Sequence, residues 1–304
     1  MTLRRSPALL SLVAALFSLY FIWGSTYLVI RIGVESWPPL LLAGLRFSLA
    51  GAVLLAFLLL RGEKLPSLRA SLNAAIVGVL LLAMGNGAVT VAEHQHVPSG
   101  LAALMVATVP LFAMCFSRLF GIPTRWIEWL GIAVGLAGII LLNSSGHLAG
   151  NPWGAVIILI GSMTWAFGSV WGSRIVLPNG MMAGAVEMLA AGAVLLIAST
   201  ISGEQLTQKP ALSGFLSLGY LALFGSVIAI NAYMFLIRNV SPAVATSYAY
   251  VNPVVAVLLG IAFAGESLIA REWLALAIIV FAVVLVTLGK YLFPGKGVIR
   301  NSGE

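Results

Sequence analysis

The chain contains no aspartate and one cysteine in 304 residues, and only 8% of its residues are charged. A single cysteine, Cys115, excludes an intramolecular disulfide framework and a cysteine metal site, and leaves the redox compartment open. No glycine-rich loop ending in Lys-Ser or Lys-Thr is present, and no soluble nucleotide-binding segment, so pumping driven by ATP in this chain alone is excluded. Paired acids, metal-ligand clusters and nucleophile–base arrangements are missing from the apolar runs, which argues against an enzyme and calls for no cofactor. The pair His94 and His96 has no metal-binding spacing and no second cluster to complete it, so no metal site is expected.

Apolar sequence fills the space that charge leaves, at 61% of residues. A bilayer crossing takes about 20 apolar residues, and the runs fall near 8–31, 38–60, 70–92, 98–118, 126–143, 152–174, 180–201, 212–236, 242–263 and 273–292. They are continuously apolar, which fits helices and not the alternating strands of a barrel. The expected fold is an all-α polytopic membrane protein with ten transmembrane helices. Arg4 and Arg5 before the first run imitate a signal peptide, but that run continues to Ile30 without a convincing cleavage site.

The chain also repeats itself. Ala50 to Leu55 recurs identically as Ala191 to Leu196, Glu128-Trp129-Leu130 returns as Glu272-Trp273-Leu274, and Pro110 is matched by Pro253. Two five-helix repeats, 8–143 and 152–292, account for these offsets. An odd number of spans per copy inverts the second copy relative to the first, an architecture typical of secondary transporters. Counting alternate connections, twelve Lys and Arg residues fall on one side and only Arg31, Lys209 and Arg271 on the other. The positive-inside rule then places both termini in the cytoplasm. Scattered over short loops, these charges give no nucleic-acid surface.

The run Val97-Pro98-Ser99-Gly100-Leu101-Ala102-Ala103 leading to Thr108-Val109-Pro110, with its partner Val240-Ser241-Pro242-Ala243 leading to Val251-Asn252-Pro253, resembles the EamA-type repeat of the drug/metabolite transporter superfamily. Leu45-Arg46-Phe47, Gly265-Glu266, and Trp23-Gly24-Ser25 echoed by Phe167-Gly168-Ser169 add to it. A departure is Gly121-Ile122, where the family often has Gly-Glu, so that carboxylate is not essential in both halves. The resemblance implies a bacterial inner-membrane carrier that exports small metabolites, often amino acids, through a cavity lined by helices 3, 4, 8 and 9. It leaves the substrate unnamed. A passive facilitator or channel is the alternative.

The candidate site residues lie on those helices and their neighbours. Asn86, Thr90 and Glu93 share one face of helix 3 at i, i+4 and i+7; they line a cavity or bond to neighbouring helices. Helix 9 carries Thr246, Ser247, Tyr248, Tyr250 and Asn252 before Pro253, whose ring frees the carbonyl one turn back. Pro110 and Pro253 are candidate hinges, with a static kink as the other reading. Tyr233 and Asn231 on helix 8, and Trp23 and Trp165 within helices 1 and 6, are further substrate-binding candidates. Trp37, Trp126, Trp129, Trp153, Trp171 and Trp273 sit at span ends as interface anchors.

Arg46 and Glu187 each precede the shared Ala-Gly-Ala-Val-Leu-Leu string by four residues, deep in their spans. They are read either as a structural ion pair or as a solute-carboxylate site (Arg46) and a proton-coupling site (Glu187), with Glu93 as the second coupling candidate. The expected partners are a small-molecule substrate and membrane lipid. Gly131, Gly135 and Gly138 form a small-residue face that packs within the chain or joins two copies in a homodimer.

Overall fold

The computed structural model describes residues 9–121, 126–143, 151–239 and 248–292, and every regular element among them is helical. Six helices are long and apolar enough to cross a membrane. They are α1 (Leu9–Gly33), α2 (Pro39–Leu60), α3 (Leu68–His94), α4 (Ser99–Leu119), α6 (Pro152–Gly172) and α7 (Met181–Ile201). Between and after them come α5 (Trp126–Asn143), α8, which runs unbroken through Leu212–Tyr220, Leu221–Ile228 and Ala229–Asn239, α9 (Tyr248–Phe263) and α10 (Ala270–Leu292). These contain shorter apolar helices, Trp129–Leu142, Leu212–Ile228 and Val251–Phe263.

Local chemistry starts and stops the helices. Pro39 and Pro152 open α2 and α6, where a missing N–H costs nothing. Ser67 Oγ accepts from Ala70 N at 3.4 Å before α3, and Asn151 Oδ1 from Gly154 N at 2.9 Å before α6. Gly62 and Gly203 follow α2 and α7 with φ of +82° and +75°, and Gly121 and Gly265 follow α4 and α9 at +80° and +64°. Left-handed glycines thus end the helices at matching positions of the two halves.

Packing follows the small residues, because lipid gives apolar side chains no reason to leave it and helices associate through close fit. On α2 and α7, Gly44 faces Leu196, Ser48 faces Gly192, and Gly51 faces Leu189. Residue numbers rise along one helix as they fall along the other, so the pair is antiparallel. The same holds for α5 and α10, where Gly135 faces Ala282 and Gly138 faces Ile279. In α4 and α9, Gly100 meets Val257 while Gly260 meets Ser99. α3 packs on α6 and α7, and α8 on α1 and α2. The glycine face of α5 is therefore occupied within the chain.

One expectation differs from the structure, and one region takes a local form of its own. The fourth apolar run is interrupted: Ser99–Val106 and Val109–Leu119 are separate helical stretches joined through Ala107 and Thr108, with Pro110 in the first turn of the second. Trp37 is no interface anchor, since it is only 6% exposed and its ring meets Phe215 edge-on at 5.3 Å. Trp126 and Trp153 are well exposed, as anchors require.

At Gly78 a Cβ would lie 2.5 Å from the Cα of Glu187, backbone against backbone. Gly78→Val is expected to lower stability by about 3 kcal/mol or more, the upper range for overpacking. Gly219→Ala, which meets nothing within 4 Å, should leave it unchanged or slightly raised. Thermal unfolding of purified protein in detergent measures both.

Candidate functional site

Arg46 is the centre of the site. It is 4% exposed on α2, and its guanidinium is held from two sides: Nε donates to Ser226 Oγ on α8 at 3.1 Å, and Nη1 donates to Asn86 Oδ1 on α3 at 3.0 Å. Gly85-Asn86 and Gly225-Ser226 lie 140 residues apart, close to the repeat spacing. The two acceptors therefore occupy matching places in the two halves. Both belong to a stretch of widened, π-type helix: Asn86 ends Val79–Asn86 in α3, and Ser226 lies within Leu221–Ile228 in α8. Such widening turns side chains away from the regular helical face and recurs at functional sites. Ser226 Oγ donates onward to Leu221 O at 3.0 Å, five residues back, which fixes its lone pairs toward Arg46.

Glycines make room for this arrangement. A Cβ at Gly225 would lie 3.3 Å from Arg46 Nη2 and 2.9 Å from Thr26 Cγ2; at Gly85 it would meet Trp165 Cε3 at 2.9 Å. Trp23 occupies the corresponding place on α8, its Nε1 donating to Gly225 O at 3.1 Å. Beyond it, Trp23, Tyr233 and Tyr248 form a closed aromatic group, with ring centroids 5.0 Å apart for Trp23–Tyr248 and 5.7 Å for the other two pairs. These spacings suit edge-to-face contact.

The remaining candidates divide. Thr90 is buried and its Oγ1 donates to Asn86 O at 3.2 Å, so its hydroxyl serves its own helix. Glu93 is fully buried and neither carboxylate oxygen has a hydrogen-bond partner. Asn252 is 7% exposed, with Oδ1 likewise unpartnered. Pro253 lies inside α9, whereas Pro110 begins a stretch after a break, so the two matched prolines sit in different local structures. The side chains of Tyr250 and Asn231, and Thr246 and Ser247 altogether, lie outside the described residues.

Arg46 and Glu187 are not brought together. Arg46 lies between Gly44 and Ser48, which face Leu196 and Gly192; Glu187 is two residues before Leu189, which faces Gly51. In the antiparallel pair they are offset by about seven residues, or about 10 Å along the axis. Glu187 is half-buried and has no hydrogen bond or ion pair among the described residues.

Sequence reasoning passed over three participants. Ser226 was findable by laying one copy on the other, which sets it against Asn86. Tyr27 on α1 lies within electrostatic reach of both Arg46 and Glu93, and nothing in its spacing marks it. Glu266, noted only as part of a motif, accepts from Ser99 N at 2.6 Å, Ser99 Oγ at 2.7 Å and Gly100 N at 3.1 Å, capping α4 from a distant connector. For the polar centre, Asn86→Leu removes one acceptor from a buried cation. An expected loss of about 1–3 kcal/mol should appear as a lower unfolding midpoint, with Asn86→Gln closer to the parent.

Comparison with known proteins identifies the family and the fold. The chain is 76% identical over 295 residues to the uncharacterized inner membrane transporter YedA of Escherichia coli K12, covering 97% of this chain and 96% of that one. It is 26% identical over 268 residues to protein PecM of Dickeya dadantii, covering 87% and 88%. A solved crystal structure aligns with a TM-score of 0.64 at 23% identity, covering 93% of this chain and 98% of the other, which shows the shared fold. The description of the EamA-like transporter family matches residues 9–144 and again 152–288, and the chain belongs to that family.

Proposed function

We propose that the protein is a secondary carrier that moves small organic solutes bearing a carboxylate out of the cell by alternating access. Arg46 receives the carboxylate, and Trp23, Tyr233 and Tyr248 receive the solute's apolar part. The observation that carries this reading is the buried Arg46 guanidinium, hydrogen-bonded among the described residues to the neutral acceptors Asn86 and Ser226 and lying over the Phe47 ring, with no anion beside it. A cation in the middle of a membrane costs about 2.5–3.5 kcal/mol or more unless it is paired. A solute anion supplies the missing charge.

In the same reading the chain crosses the inner membrane ten times as two inverted five-helix copies with both termini in the cytoplasm. The antiparallel meeting of α2 with α7, α4 with α9, and α5 with α10 supports the inversion, since each pair joins helices at matching places in the two copies. The twelve-to-three distribution of basic residues supports the orientation.

Counterflow in liposomes holding the purified protein tests the carrier reading. Preloading with small amino acids should accelerate uptake of labelled amino acid, and the matching amides should not. Equal exchange of acids and amides, or no counterflow at all, would count against it, the latter favouring a channel. Arg46→Gln should weaken apparent affinity for the acids by about two to three and a half orders of magnitude, since losing one partner of a buried charge pair costs about 3–5 kcal/mol. For topology, a reporter fused after Glu304 should be active only in the cytoplasm, and external activity would overturn the orientation.

A further inference from the structure

Glu93 stands apart from the other acidic side chains of the outer end. Glu266 is fully engaged, accepting two backbone N–H groups and a hydroxyl at the start of α4. Glu204 is engaged the same way, accepting from Leu40 N at 3.1 Å, Leu41 N at 2.9 Å and Ser199 Oγ at 2.7 Å. Glu93, at the last turn of α3, is fully buried with both oxygens unpartnered. A bare carboxylate there would lack every donor that makes burial of an anion tolerable.

Its surroundings make a second anion still harder to hold. From the connector between α9 and α10, the engaged carboxylate of Glu266 bears on it. From α1, Arg31 is near, but Nη1 donates to the backbone oxygen of Glu93 at 3.2 Å, and Tyr27 lies within electrostatic reach of both Glu93 and Arg46 of α2. On α3 itself, His94 turns away, Nδ1 lying 3.3 Å from Val34 O. α6 has no titratable residue, and those of α4, Cys115 and Arg118, are at its far end. Water is close at hand across the same helical turn. An open cavity of about 760 Å³ is lined by Trp37, Val91, His94, Gln95, Glu204 and Lys209 among others.

We propose that Glu93 is the proton-binding site of the carrier. Its carboxyl takes one proton from water on the outer side and is sealed in the neutral form. It releases that proton to the inner side when the carrier opens inward, and Tyr27, within electrostatic reach of both, carries the change in charge to Arg46. This rests on the carrier reading above. It separates Glu93 from Glu187, which is half-buried and about two helical turns from Arg46 along the α2–α7 pair.

The test uses the full chain in liposomes. The ratio of amino acid transport with and without an imposed pH gradient should exceed one for the parent and for Glu187→Gln, and fall to one for Glu93→Gln. An apolar carbodiimide, which modifies protonated carboxyl groups within membranes, should label the α3 peptide of the parent more strongly at acid than at alkaline pH, and not that of Glu93→Gln. A full pH response in Glu93→Gln overturns the proposal. So does a parent without any pH response, which leaves the Arg46 site standing because counterflow tests that separately. Should Glu93→Gln fail to reach the membrane, labelling of the parent decides, and absence of label on Glu93 at every pH overturns the assignment.

Discussion

The contact of Gly192 with Ser48 sets the spacing on which the polar centre depends. Hydrocarbon solvates leucine as well as a neighbouring helix does, so α2 and α7 meet because small residues let their backbones approach. A side chain at position 192 would meet the Ser48 backbone directly and push the helices apart. α2 would carry Arg46 with it, and the two acceptors of Arg46 belong to other helices, α3 and α8. A guanidinium that has lost either acceptor inside a membrane has no water to replace it. Backbone packing and charge burial are thus one constraint: the glycines hold the crossing tight, and the crossing delivers Arg46 between Asn86 and Ser226.

A second set of contacts ties the halves together at one end of the bundle. Glu204 follows α7 and caps α2; Glu266 follows α9 and caps α4. Each carboxylate comes from a second-half connector and meets the exposed N–H groups of a first-half helix, where the partial positive charge of the helix start favours it. Helix ends that would otherwise be unsatisfied become joints between halves. Such joints can open only where water or another acceptor takes over, which places them on an aqueous face.

The helices were legible in the sequence because continuous apolar runs of this length have few other fates; the left-handed turns at Gly62, Gly121, Gly203 and Gly265 emerge from the structure, although these glycines recur at the repeat spacing. Arg46 was legible as a charge where none is cheap. Its partners were not read out, because Asn86 looked like part of a stripe along α3 and Ser226 like one more serine in an apolar run. Only the crossing of α2 between α3 and α8 shows that they share a task. The suggested meeting of Arg46 with Glu187 came from equating sequence position with depth. Matching positions in antiparallel helices coincide only at the crossing point, and both residues lie before it in their own helices, so they diverge. Trp37 was assigned to the interface by its place at a helix end, while tertiary packing against Phe215 decided its burial.

The differences between the halves matter as much as their likeness. In the proposed inverted arrangement, exchange of the two copies converts a bundle closed at one face into a bundle closed at the other. Identical copies would hold the two closed states at equal free energy. The backbone comes close to this: Gly85 and Gly225, and the four turn glycines, occupy matching places. Charged side chains break the match, since Glu266 has Ile122 as its counterpart and Arg46 has Glu187. Glu266 makes three hydrogen bonds that Ile122 cannot, and bonds to a charged group contribute about 1.5–3 kcal/mol each. On the carrier reading proposed above, closure of the Glu266 end would be favoured by several kcal/mol over closure of the other. A cycle that visits both states needs differential binding of that size, and a solute anion on Arg46 is the one contributor that the central geometry supplies.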